Sequence, residues 1–140
     1  ELDNVEIIEK AVWKENKGEI EINKSLFPND NSILEPDEKE LEESFKVEAK
    51  TISKIGEENN IETIDFLKVE AEGVEPEIVK NAVESDIHIE KFAVDTTAER
   101  NGEAPTDQIK TILKESGYKV KTNKEKEPRG GRIVYGKLQD

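Results

Sequence analysis

The chain has 140 residues, 33% hydrophobic and 39% charged, with a formal charge of −13, so it is one domain's worth of chain, with an economical core and a heavily solvated surface. That charge argues against nucleic acid, where neutralising phosphates supplies most of the affinity, and against an anionic membrane surface. No apolar run approaches a membrane span, no signal region opens the chain, and the lack of cysteine removes disulfides and thiolate metal sites and fits a cytoplasmic protein.

Val5–Val12 reads as a first strand, closed by a turn at Asn16-Lys17-Gly18. Ile20 and Ile22 alternate with glutamates and predict a half-exposed second strand, paired with the first or with a later one. Residues 28–44 are polar and hold Pro28 and Pro36, the composition of a loop. Phe45, Val47 and Ala49 alternate as a third strand. Ile52 and Ile55 suggest a short helix that Gly56 ends.

From here the pattern becomes strand, helix, strand, helix, strand. A strand at 64–70 precedes a helix from about Pro76 to Glu84, with Ile78, Val79, Ala82 and Val83 on one face. A strand at 89–95 follows. Thr106 reads as the N-cap of a helix carrying Ile109, Ile112 and Leu113 and stopped by Gly117. Tyr118 and Val120 begin another strand, and Arg132–Leu138 returns antiparallel after a basic turn. This grammar predicts an α/β fold with a mostly parallel sheet and a C-terminal antiparallel hairpin.

The segment Ile64–Glu77 is the most informative. An apolar run ends in Glu70 and Glu72, then Gly73, and a helix opens at once. Ligands of open α/β sheets lie outside the carboxyl ends of such strands. In an extended strand Glu70 and Glu72 point to one side, as an active-site lip or as a solvated strand end. Asp95 ends the neighbouring strand, as a pocket acid or a turn aspartate. Glu75 and Glu77 are explained by the dipole of the helix they open. His88, the only histidine, reads as a surface residue, and no zinc site is credible. A Mg²⁺ or Ca²⁺ held by Glu70, Glu72 and Asp95 is the weaker reading of the acids.

Three stretches resemble the FkbM-like methyltransferases, which use S-adenosylmethionine. Asn4-Val5 to Gly18-Glu19-Ile20 is similar to the family's strand with an Ala-Val pair and charged turn. Asn31–Pro36, followed by Thr51-Ile52-Ser53-Lys54-Ile55, is similar to its Ser-Ser-Leu loop and Thr-Leu-Asp-x-Leu segment. Ile64–Glu75 resembles Ile-Asp-x-Leu-Lys-Ile-Asp-Val-Glu-Gly-x-Glu, with Glu70 in place of the aspartate. Val94-Asp95-Thr96-Thr97 also departs from the family, which usually shows a glutamate there.

The resemblance implies a Rossmann-like methyltransferase fold that uses S-adenosylmethionine to methylate a hydroxyl of a small molecule or glycan. Glu70 and Glu72 would be catalytic, Asp95, Lys124 and Arg129 would hold the acceptor, and Ala11 and Trp13 would line the cofactor. The basic turn Asn123–Gly131 reads as a solvated hairpin loop or, because its strand should end on the face of Glu70 and Asp95, as a segment overhanging the acceptor site. No glycine-rich turn follows a strand before residue 64, so the N-terminal strands of that fold are expected to lie outside this chain, which carries a fragment of the domain. A non-catalytic, truncated or degenerate α/β binding module is the alternative.

Overall fold

A parallel strand pair, broken at one place, runs through the centre of the computed structural model, which describes residues 3–24, 43–123 and 132–139. Strand β4 (Thr63–Ile64) pairs with β6 (His88–Ile89), and β5 (Leu67–Val69) pairs with β7 (Lys91–Asp95). Both pairs share a register offset of 25 residues, so each half of the predicted pair is one strand interrupted midway. Helix α2 (Glu75–Val83) makes the crossover, and α3 (Thr106–Glu115) leads from β7 to β8 (Tyr118–Thr122).

The four-stranded sheet has the order β5-β7-β9-β8, with β9 spanning Ile133–Leu138. Strands β5, β7 and β8 run in one direction, as the helical crossovers require. However, β9 inserts between β7 and β8 and is antiparallel to both. The expected mostly parallel sheet is therefore a mixed one. The reason is that β9 returns into the gap beside β7 instead of adding to the outer edge of β8.

Phe92, Val94 and Val134 point toward α2 and α3, where they bury with Val79, Ile109 and Leu113. Each such side chain contributes about 1.5–3 kcal/mol by leaving water. Tyr118 meets Phe92 edge-to-face with ring centroids 5.1 Å apart, and its hydroxyl donates to the Ile89 carbonyl at 2.7 Å. The ring thus fills the core while its polar end is satisfied.

The N-terminal strands build a separate sheet of order β1-β3-β2. Strand β2 (Lys17–Lys24) pairs antiparallel with β3 (Glu43–Lys50), the later of its two predicted partners. The predicted strand Val5–Val12 shrinks to β1 (Ala11–Val12), parallel to β3 and not beside β5. Residues 3–10 form neither helix nor strand, and Ile7 remains 83% exposed. An apolar run becomes a strand only where a neighbour supplies hydrogen bonds and cover, and among the described residues it meets neither. The predicted loop at 28–44 falls mostly outside the described residues.

Two predicted helix signals also act differently. Helix α1 (Ile52–Asn59) starts at Thr51, whose hydroxyl accepts from the Lys54 amide at 3.1 Å, and runs past Gly56 to a left-handed Asn60. Gly56 is there for close approach: a Cβ would collide with Ile87 Cδ1 and sit 2.9 Å from the Ile61 carbonyl. Thr106 does not cap α3, because its hydroxyl lies 2.8 Å from that of buried Thr96. No helix among the described residues is long and apolar enough to cross a membrane.

Gly56→Ala should lower stability by about 1–2 kcal/mol in urea unfolding. Overpacking costs about 1–3 kcal/mol, which outweighs the roughly 1 kcal/mol that alanine gains in helix propensity. An unchanged midpoint would show that Ile87 and the 61 carbonyl yield freely.

Candidate functional site

The carboxyl ends of β5 and β7 lie side by side, with Val69 opposite Val94, so Glu70 and Asp95 leave the sheet at the same level. Five residues separate the end of β5 from the start of α2, and the turn that allows this is backbone-strained. Glu72 has φ 48° and Gly73 has φ 100°, both left-handed. Glycine takes that conformation freely, whereas glutamate does so at a cost of about 1–2 kcal/mol. The chain does not stay extended past Val69, so Glu70 and Glu72 do not sit on a common strand face.

A residue assigned only to the helix dipole holds this turn. Glu75 is 1% exposed, and its carboxylate reaches back from the first turn of α2. Oε1 accepts the Ala71 amide at 2.8 Å and Oε2 the Gly73 amide at 3.0 Å. Both oxygens are engaged, and the helix N-terminus adds favourable field. Burial nevertheless dominates and pushes the carboxyl above its ordinary value against these hydrogen bonds, with the Asp95 charge adding to the rise. The sequence signal was present: an acid two residues after the glycine of a strand-to-helix turn can reach back to the turn's amides.

The other acids are dispersed around this clamp. Glu70 is exposed and ion-paired with Lys68. That hydrogen bond, with smaller help from Asp95, holds the Lys68 ammonium above its usual value. Asp95 is half-buried and accepts the Thr97 amide at 2.8 Å in a local turn. Glu77 pairs with Arg100 at 2.6 Å, which ties the loop after β7 to α2. That loop turns at Asn101-Gly102, both left-handed, between the mutually bonded Arg100 and Glu103. No group of three or more metal-ligating side chains converges among the described residues, so Glu70, Glu72 and Asp95 form no ready cation cage. His88 is exposed at the opposite end of the strands.

Beside β5 lies an apolar trough of about 290 Å³, walled by Ala11, Val12, Ile52, Val69 and Val74, with Glu70 at its mouth. Among the described residues strand β5 pairs with β7 alone, and its other side lines this trough. Ala11 lines the trough. Trp13 is half-buried, packs on the core, and holds the Lys14 ammonium 5.6 Å over its ring.

Lys124 and Arg129 lie outside the described residues, as does most of the basic turn. The two ends of that turn are anchored on the Asp95 side. Ile133 pairs with Asp95, the Arg132 amide donates to Thr97 Oγ1 at 3.0 Å, and Asn123 Oδ1 accepts from the Ile133 amide at 2.8 Å.

The family model described as the methyltransferase FkbM domain matches residues 3–120. The chain belongs to that family. No curated protein and no solved structure matches it.

Glu75→Ala should destabilise by about 2–5 kcal/mol, since the buried Gly73 amide and the half-buried Ala71 amide lose their acceptors at roughly 1–3 kcal/mol each. Glu75→Gln keeps one acceptor and removes the titration. The folded value of Glu75 is raised, so the folded state binds more protons than the unfolded chain just above pH ~4.3. Its contribution therefore falls as pH rises through that window, and wild type should lose stability relative to Glu75→Gln there. Parallel stability–pH curves for the two proteins would remove the desolvation account.

Proposed function

We propose that this FkbM-family chain provides the acceptor side of an S-adenosylmethionine-dependent methyltransferase that methylates a hydroxyl of a sugar or small metabolite. The single observation that carries this is the Val69–Gly73 turn: a left-handed glutamate and a glycine, clamped by Glu75 at the carboxyl end of a parallel strand, beside Asp95. Strain retained in a non-glycine residue at such a lip is the kind found where geometry serves chemistry.

Bound S-adenosylmethionine would supply an electrophilic methyl carbon, and the chain's own residues would handle the acceptor. Glu70 and Glu72 flank the turn and are the groups to orient the acceptor hydroxyl and take its proton. Asp95 extends the polar wall, and Lys124 and Arg129 would add positive charge for a polar acceptor. A cysteine-free composition suits the reducing cytoplasm.

The residues present fit the cofactor only in part. The trough offers an apolar wall, with Ala11 in it and Glu70 at the mouth. It offers no backbone cradle, because the Ala71 and Gly73 amides are already held by Glu75. In the reading proposed here, a strand with a glycine-rich turn lies along the outer edge of β5 and completes the site. The engaged amides also favour the second reading, a non-catalytic binding module.

Calorimetric titration of S-adenosylmethionine separates the two. Binding by a protein that carries such a strand, and loss of binding without it, is expected of the enzyme. In that complete protein, Glu72→Gln should cut methyl transfer at least tenfold, about 1.4 kcal/mol in the barrier. Its melting temperature should stay within about 2 °C. Wild-type turnover in the variant would remove Glu72 from the mechanism, and no cofactor binding in either form would favour the binding module.

A further inference from the structure

The four-stranded sheet has helices on one face and an open second face of unusual charge. Lys91 of β7 sits directly opposite Lys137 of β9, which sits directly opposite Lys119 of β8. Three lysines thus form a row across three adjacent strands. The next row is Lys68, Ala93, Tyr135 and Lys121. Like charges placed opposite each other across strands are destabilising, yet this row stands in a chain with 34 acidic and 21 basic residues.

Few of those acids serve the row. Glu90 pairs with its neighbour Lys91 at 2.9 Å and feels Lys137 more weakly. Lys119, Lys121 and Lys137 make no ion pair among the described residues. Two large rings share the face, Phe66 at 56% and Tyr135 at 44% exposed. With the lysines they line an open groove of about 320 Å³. Phe92 and Gly136, paired across β7 and β9, complete its lining.

We propose that this face docks an acidic, amphipathic α-helix of a partner protein, laid across β7, β9 and β8 along the lysine row. The spacing suits a helix. Lys91 to Lys119 spans two interstrand intervals, about 10 Å, and seven helical residues rise about 10.5 Å. Acids at i, i+3 or i+4, and i+7 therefore meet the three lysines in turn. Apolar side chains on the adjoining helix stripe rest on Tyr135 and Phe66. A second copy in face-to-face contact would set the lysine row against itself. A net charge of −13 opposes a nucleic acid strand. The inference does not depend on the methyl-transfer reading.

The test is anisotropy titration of a fluorescein-labelled helical peptide of about 15 residues, with leucines on one stripe and glutamates on the next. A counterpart carries lysine for every glutamate. The glutamate peptide should bind, and its affinity should fall at least about tenfold in Lys137→Glu, in Lys119→Glu/Lys121→Glu and in Tyr135→Ser. Lys137→Glu replaces two repulsive pairs by attractive ones, so its melting temperature should rise by about 2–5 °C while binding is lost. A residue kept for structure alone would not move the two readouts in opposite directions.

No binding of the glutamate peptide at about 1 mM, equal binding of the lysine peptide, or indifference to Lys137→Glu would each overturn the proposal. So would tighter binding of oligouridylate, which would assign the face to nucleic acid. Self-association in sedimentation that Tyr135→Ser abolishes would assign it to a second copy, and would overturn the proposal too.

Discussion

The grip of the Glu75 carboxylate on the Ala71 and Gly73 amides is the constraint on which the candidate site rests. Without it, the chain would have to leave a buried parallel strand and enter a helix with two amides facing a core that cannot satisfy them. With it, the backbone can fold through two successive left-handed residues and still bury Val74 at 1% exposure. The cost is a carboxylate held where water does not reach it. Its raised proton affinity records that cost, since hydrogen bonds to two amides do not fully offset desolvation. The position of Glu70 and Glu72 at the rim is a by-product of this clamp.

Much of the C-terminal half was legible because its apolar runs are bounded by strong punctuation. Ile78, Val79 and Ala82, then Ile109 and Leu113, bury on the predicted faces, and Gly117 ends its helix with φ 87°. The N-terminal half was less legible. Val5, Ile7 and Ile8 read as a strand, yet they remain exposed because nothing pairs with them among the described residues. A pattern records what a segment can bury, not whether a neighbour is there to bury it.

The errors at single residues share a cause. Gly56 looked like a helix stop, Thr106 like a cap and Glu75 like a dipole partner, each a local reading of a local signal. In the structure all three answer to distant groups or to an adjoining turn: Ile87 and the 61 carbonyl, the Thr96 hydroxyl, and the amides of 71 and 73. At these three residues local chemistry marked a helix and misassigned the contact. The candidate acids were found in sequence because glycine after a strand marks a turn. Which acid is buried depended on side-chain reach, which spacing alone does not rank.

Strand β9 has a consequence for how the chain assembles. Among the described residues strand β8 pairs with the sheet through β9 alone, and β9 leaves the ribosome after both of the strands it joins. Until residues 133–138 emerge, β7 presents a bare hydrogen-bonding edge, and Tyr118 has no strand holding it against Phe92. The β5–α2–β7 unit can form early from its right-handed crossover. The sheet then closes in one late step, when a single segment joins two strands at once. A nascent chain stalled before that step exposes an edge open to pairing with other chains, so the translation rate over β9 bears on the yield of folded protein.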